Sequence, residues 1–112
     1  MLRHAQKVET LDPTEVSRLL EAGKVLLIDV REPAEYAAER IQGALLYPLS
    51  TFDARVLPAD GTRRVVFHCA GGKRSREAAE KRLAAGSVHA AHMDGGLTAW
   101  KTAGLPVIAL RS

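Results

Sequence analysis

The sequence predicts an α/β domain with a mostly parallel sheet, because short apolar runs alternate with helix-forming segments along its length. Val25-Leu26-Leu27-Ile28 and Val65-Val66-Phe67 are continuously apolar, as strands buried on both faces are. The segments between them carry helix starts at one end and glycine stops at the other. At 112 residues and 46% hydrophobic, the chain suffices for one domain over residues 1–112, with a core spanning about 8–107, and leaves no room for a second.

Taken in order, Lys7-Val8-Glu9-Thr10 reads as a short edge strand. Asp12-Pro13-Thr14-Glu15 follows with an N-cap, a proline at the first helical position and an acid placed to close a capping box. Val16, Leu19 and Leu20 recur at helical spacing until Gly23 stops the helix. The second strand, Val25 to Ile28, runs into Asp29-Val30-Arg31-Glu32, and Pro33 opens a short helix over 34–39. Residues 44–47 make a third strand cut by Pro48, and 50–57 a loose helix. Residues 64–68 form the fourth strand and 75–85 the next helix, whose alanines 78, 79, 84 and 85 let it lie close to the sheet. Glu77 and Lys81 pair one turn apart on its wet side. Residues 88–93 form the fifth strand, Asp94-Gly95-Gly96 a turn, and 97–102 a last helix ended by Gly104.

The chemistry concentrates at His68-Cys69-Ala70-Gly71-Gly72-Lys73-Arg74-Ser75. Cys69 is the only cysteine, and it stands where a strand gives way to two glycines, a basic pair and a helix. That geometry aims successive backbone N–H groups, and the positive end of a helix dipole, at one point. A thiol held there loses its proton more readily than the ordinary value of about 8.5, and the thiolate is the nucleophile. A buried structural cysteine is the plain alternative, but it would have no need of Gly-Gly-Lys-Arg beside it. With no second thiol, any bond that Cys69 makes must be discharged by another molecule.

Composition removes several function classes. The formal net charge is +3, yet basic residues are interleaved with acids and aromatics are few, so no nucleic-acid platform is expected. The exception is Lys73, Arg74 and Arg76, clustered beside the thiol, where they would attract anions. His4, His68, His89 and His92 lack zinc spacing, and neither a metal nor another cofactor is expected. No segment has the length of a membrane span or the apolar run of a signal peptide, so a cytoplasmic setting is the default expectation.

Three blocks together resemble the rhodanese family in its single-domain form. They are Leu27 to Tyr36 with Ile41-Gln42-Gly43-Ala44, then His68 to Ser75, then Asp94 to Trp100 with Gly104-Leu105-Pro106-Val107. Arg40 and Gln42 depart from the histidine and proline usual in the family. The resemblance implies a rhodanese-like fold, a parallel sheet of about five strands with helices on both faces. It also implies transfer of sulfane sulfur from an anionic donor such as thiosulfate to cyanide or a thiol, through a persulfide on Cys69. Ala70, Gly71, Gly72, Lys73 and Arg74 would form the cradle around that sulfur. A sulfur-carrier protein as partner, or a regulatory module of weak activity, is the alternative.

Other residues take supporting roles in this reading. Gly71 and Gly72 let the backbone turn tightly and approach the sulfur. Lys73 and Arg74 supply charge for an anionic donor. Ser75 caps the following helix, with a hydrogen bond to the loop. Asp29 and Arg31 brace the loop through an ion pair from the same rim of the sheet. Glu35 and Tyr36 serve helix surface and packing, Trp100 anchors the last helix, and His68 faces away from Cys69 as a buried histidine. A phosphatase of related fold would need five residues between cysteine and arginine to seat a phosphate. Arg74 comes after four, so phosphate-ester hydrolysis is not expected.

Overall fold

The computed structural model describes residues 7–58 and 61–110. The reading of the N-terminal start, with His4, falls on residues 1–6 and lies outside them. The elements are β1 (Glu9–Leu11), α1 (Pro13–Glu21), β2 (Val25–Asp29), α2 (Pro33–Ala38), β3 (Glu39–Arg40), β4 (Leu45–Leu46), β5 (Arg64–His68), α3 (Lys73–Ala84), β6 (Ala91–Met93), α4 (Gly96–Thr102) and β7 (Ile108–Ala109). Five strands form one sheet in the order β1-β6-β5-β2-β4, and every pairing in it is parallel. β1 and β4 are the edges, and β2 and β5, the two apolar runs, are central.

Alternation along these strands divides the core. Val25, Leu27, Val66, Ala91 and Met93 face one side, where Val16 of α1 and Leu97 and Trp100 of α4 meet them. Leu26, Ile28, Val65 and Phe67 face the other, against Ala78 and Ala79 of α3. Phe67 lies edge-on to Phe52, which packs in turn on Tyr47. Helices therefore cover both faces, as two-sided apolar strands require. No helix among the described residues is long and apolar enough to cross a membrane.

Local signals explain most boundaries. Asp12 caps α1 by accepting from the Glu15 N–H at 2.9 Å, with Pro13 at the first helical position. Glu32 and Glu35 form a reciprocal capping box at the head of α2. Trp100 is buried and donates its indole N–H to Pro106 O at 2.8 Å, anchoring α4 as expected.

The structure corrects four expectations. Residues 50–57 hold only a 3-10 turn, Leu49–Thr51. Beyond it, Asp53 accepts the Arg55 N–H on its side chain, and Tyr47 Oη accepts the Asp53 N–H, so the backbone takes side-chain partners in place of helix. The fifth sheet strand starts at Ala91 and not at Val88, because Ser87 Oγ donates to His89 O at 2.7 Å and turns the chain there. Ala84 and Ala85 are exposed; only Ala78 and Ala79 meet the sheet. A small antiparallel ribbon, β3 with β7, lies apart from the main sheet and was not anticipated.

Candidate active site

Cys69 follows the last residue of β5, so it lies at the carboxyl end of a central strand, where α/β sheets open their ligand crevices. The chain turns over Ala70, Gly71 and Gly72 and enters α3 at Lys73. Gly72 is the N-cap, in the left-handed region at φ +108°, a conformation that side chains rarely adopt. A Cβ there would stand 3.2 Å from Gly95 N, so both conformation and space favour glycine. Gly71 has no such need: its φ is not positive and a Cβ would meet nothing within 4 Å.

This turn folds the head of α3 over the sulfur. Cys69 Sγ accepts the N–H of Gly72 at 3.1 Å and that of Ser75 at 3.3 Å, and Ser75 Oγ stands 3.6 Å away. The cysteine is 1% exposed. Burial pushes its thiol up, but hydrogen bonds from the Ser75 side chain and from the backbone of Ser75, Gly72 and Gly71 outweigh burial and leave it below its ordinary value. The positive end of the α3 dipole acts in the same direction. Ser75 therefore does not cap α3 as expected: Gly72 does, and Ser75 lies in the first turn, where its hydroxyl donates to Gly72 O at 3.1 Å.

A second helix holds the loop from behind. At the start of α4, Leu97 N–H donates to Cys69 O at 2.8 Å and Thr98 N–H to Ala70 O at 3.0 Å. Gly96, at φ +58°, permits this approach: a Cβ would fall 2.4 Å from Cys69 O. Asp94-Gly95-Gly96 is thus more than the expected turn: Gly96 sets how closely α4 meets the cysteine.

The basic residues divide. Lys73 is exposed and has no ion pair among the described residues. Arg74, expected in the cradle for the donor, instead grips Glu35 of α2 with both prongs, at 2.8 and 3.0 Å. The Arg74 hydrogen bond holds the Glu35 carboxyl well below its ordinary range, at about 2. Glu35, expected on the helix surface, is the anchor of Arg74. Tyr36 does serve packing, donating its hydroxyl to Ala44 O at 2.7 Å.

Asp29 and Arg31 form a buried ion pair, 0% and 4% exposed, with Nη2 to Oδ2 at 2.8 Å. Arg31 also donates to Glu39 O, tying β2 to β3. The pair approaches the cysteine through His68, whose Nε2 lies 3.4 Å from Asp29 Oδ2 and whose Nδ1 lies 3.3 Å from Cys69 O. Burial pushes His68 below its ordinary pKa and keeps it neutral. His68 is buried beside Asp29 and faces away from the thiol, as expected.

A shallow depression bounded by Gly71, Gly95, Thr98, Ala99, Thr102 and Ala103 borders the loop and offers an approach to it. A second groove, lined by Val25, Trp100 and Leu105, opens at the amino end of β2, away from the cysteine, and carries none of the loop residues.

A buried thiol aimed into the backbone donors at the head of a helix, from the carboxyl end of a central parallel strand, defines an α/β domain with N–H groups gathered around a cysteine sulfur. The chain belongs to the rhodanese-like domain family, which matches residues 12–103. It is 36% identical over 108 residues to an uncharacterized protein of Synechocystis, covering 96% of this chain and 60% of that protein. A sulfurtransferase of Allochromatium vinosum is 35% identical over 103 residues, covering 91% of this chain and 96% of that one. The crystal structure of a thiosulfate sulfurtransferase from Pseudomonas aeruginosa superposes with a TM-score of 0.81 at 28% identity, over 94% of this chain and 21% of that one. The chain thus spans only part of the first and the last of these proteins.

Proposed function

We propose that the chain is a sulfurtransferase that carries sulfane sulfur on Cys69, taking it from an anionic donor such as thiosulfate and giving it to a thiol or cyanide. The observation that carries this reading is the placement of Cys69 Sγ under the N–H groups of Gly72 and Ser75, with a thiol below its ordinary pKa. In the first half-reaction the Cys69 thiolate attacks the outer sulfur of thiosulfate. An S–S bond forms, the sulfur–sulfur bond of the donor breaks, and sulfite leaves with the electron pair. In the second, the acceptor nucleophile attacks the same outer sulfur, and Cys69 leaves as the thiolate that started the cycle. The N–H donors stabilise negative charge on sulfur in both halves, and exposed Lys73 supplies attraction for the anionic donor.

The loop bounds the alternatives. Arg74 is spent on Glu35, and the segment from Cys69 to Arg74 is one residue short of a phosphate cradle, so phosphate-ester chemistry is disfavoured. Incubation with thiosulfate followed by intact-mass measurement tests the proposal. One added sulfur is expected on the native protein and none on Cys69→Ser. Double-reciprocal plots of thiosulfate against cyanide should be parallel, as a covalent relay demands. An unmodified native protein, or full turnover by the serine variant, would overturn it.

A further inference from the structure

His92 is 2% exposed and has no part in the mechanism above, yet it joins the cysteine through one hydroxyl. Its position on β6 faces α3, the reverse of Ala91 and Met93, and its ring Nδ1 lies 2.9 Å from Ser75 Oγ. Ser75 Oγ is also 3.1 Å from Gly72 O and 3.6 Å from Cys69 Sγ. A hydroxyl has one proton and two lone pairs. Gly72 O can only accept, and so can a Cys69 thiolate. The direction of the His92 contact therefore decides whether the single proton is left for the loop.

The second ring nitrogen settles that direction. His92 Nε2 is buried and has no hydrogen-bond partner among the described residues. A proton on Nε2 would be an orphaned buried donor, rarer and costlier than a bare lone pair. The proton accordingly belongs on Nδ1, which then donates to Ser75 Oγ. We infer that His92, as the neutral Nδ1–H tautomer, is a positioning residue that occupies a lone pair of Ser75 and thereby turns the Ser75 hydroxyl proton toward the catalytic loop. The proton rests on Gly72 O when Cys69 is a thiol and swings to Sγ when it is a thiolate.

The surroundings agree. Burial is the main influence keeping the ring uncharged, and Arg76 of α3 acts in the same sense; Asp94 and Glu80 oppose it. On the sheet its neighbours are Thr10 and Phe67, neither of which titrates. The thiol itself is faced by Ser75 and by the Arg74 charge, and His68 meets only its carbonyl.

This inference rests on Cys69 as the working thiol, so its test reads that thiol directly and not sulfur transfer. In the native protein, nitrogen-15 NMR of the imidazole should show His92 protonated at Nδ1; an Nε2–H tautomer would overturn the inference. The pH dependence of Cys69 alkylation by iodoacetamide should shift upward by about one pH unit in His92→Leu, the size of a weakened hydrogen bond to a charged group. His92→Asn, whose amide N–H can replace the Nδ1 donor, should restore the native profile. In a Ser75→Ala background, His92→Leu should add no further shift. An unshifted profile in folded His92→Leu, or an equal shift without Ser75, would overturn it. Should the leucine variant not fold, the NMR tautomer decides on the native chain. Loss of sulfur transfer with these profiles intact would instead count against the proposed function alone.

Discussion

Glu35 and Arg74, 39 positions apart in the chain, form a two-pronged ion pair that joins the first turn of α2 to the first turn of α3. Arg74 lies beside the residue that bonds the Cys69 sulfur, so the pair fixes the head of the helix on which the thiol depends.

That pair makes an acid-sensitive contribution to stability. The folded-state carboxyl titrates at about 2 against an ordinary 4.5. Because the folded value is depressed, the stabilisation is present above pH 4.5 and is lost as pH falls toward 2. Both partners are partly exposed, so the effect is small, about 1 kcal/mol or less. Thermal melts of Glu35→Gln should fall below the native protein near neutrality and converge with it at the acid end of that window. A constant gap across the window would contradict the assignment.

Lys73 and Arg74 should separate in kinetics, since only Lys73 is unengaged among the described charges of the loop. Lys73→Ala should raise KM for thiosulfate roughly fivefold, leave kcat unchanged and weaken the salt dependence, because it removes steering alone. Arg74→Ala should lower kcat, because it frees the head of α3, and Glu35→Ala should reproduce that loss. Steady-state kinetics at two ionic strengths decide the matter.

Asp29→Asn should be far more damaging than its size suggests. It leaves Arg31 charged, buried and without its carboxylate, a change that costs about 3–5 kcal/mol. Urea unfolding should report a loss of that order.

Glycine replacements should rank by geometry and not by distance from the thiol. Gly96→Ala drives a Cβ into the Cys69 carbonyl and should abolish turnover. Gly71→Ala, with open space and no positive φ, should fold normally and retain its thiol reactivity, although it is nearer the sulfur in sequence. Alkylation rates of the two folded variants provide the comparison.

Much of this architecture is legible in the sequence because its causes are local. Asp12-Pro13 marks the start of α1, two apolar runs mark the central strands, and Cys69 before two glycines marks a loop feeding a helix. Two features of the site depend on partners distant in the chain. Nothing near Glu35 announces Arg74, and nothing near His92 announces Ser75. Ser75 looks like a helix cap by residue type, but the left-handed turn at Gly72 starts the helix earlier and points the serine at sulfur. The ribbon of β3 and β7 has two residues in each strand, too few for any period to show. The helix expected over 50–57 fails because Tyr47 and Asp53 draw backbone N–H groups to themselves, a local competition that hydrophobic periodicity does not register.

The strand that delivers the cysteine has a neighbour on each side, β2 and β6, and neither edge of the sheet is its own. Fraying of a border strand therefore leaves the strand under the sulfur in place, and the seat is loosened only through the heads of α3 and α4 that close over it. Thiol reactivity in this chain is thus a gauge of how firmly those two helix heads are held. On heating, the sulfur's exceptional behaviour should fade before the cooperative melt or together with it, and never outlast it.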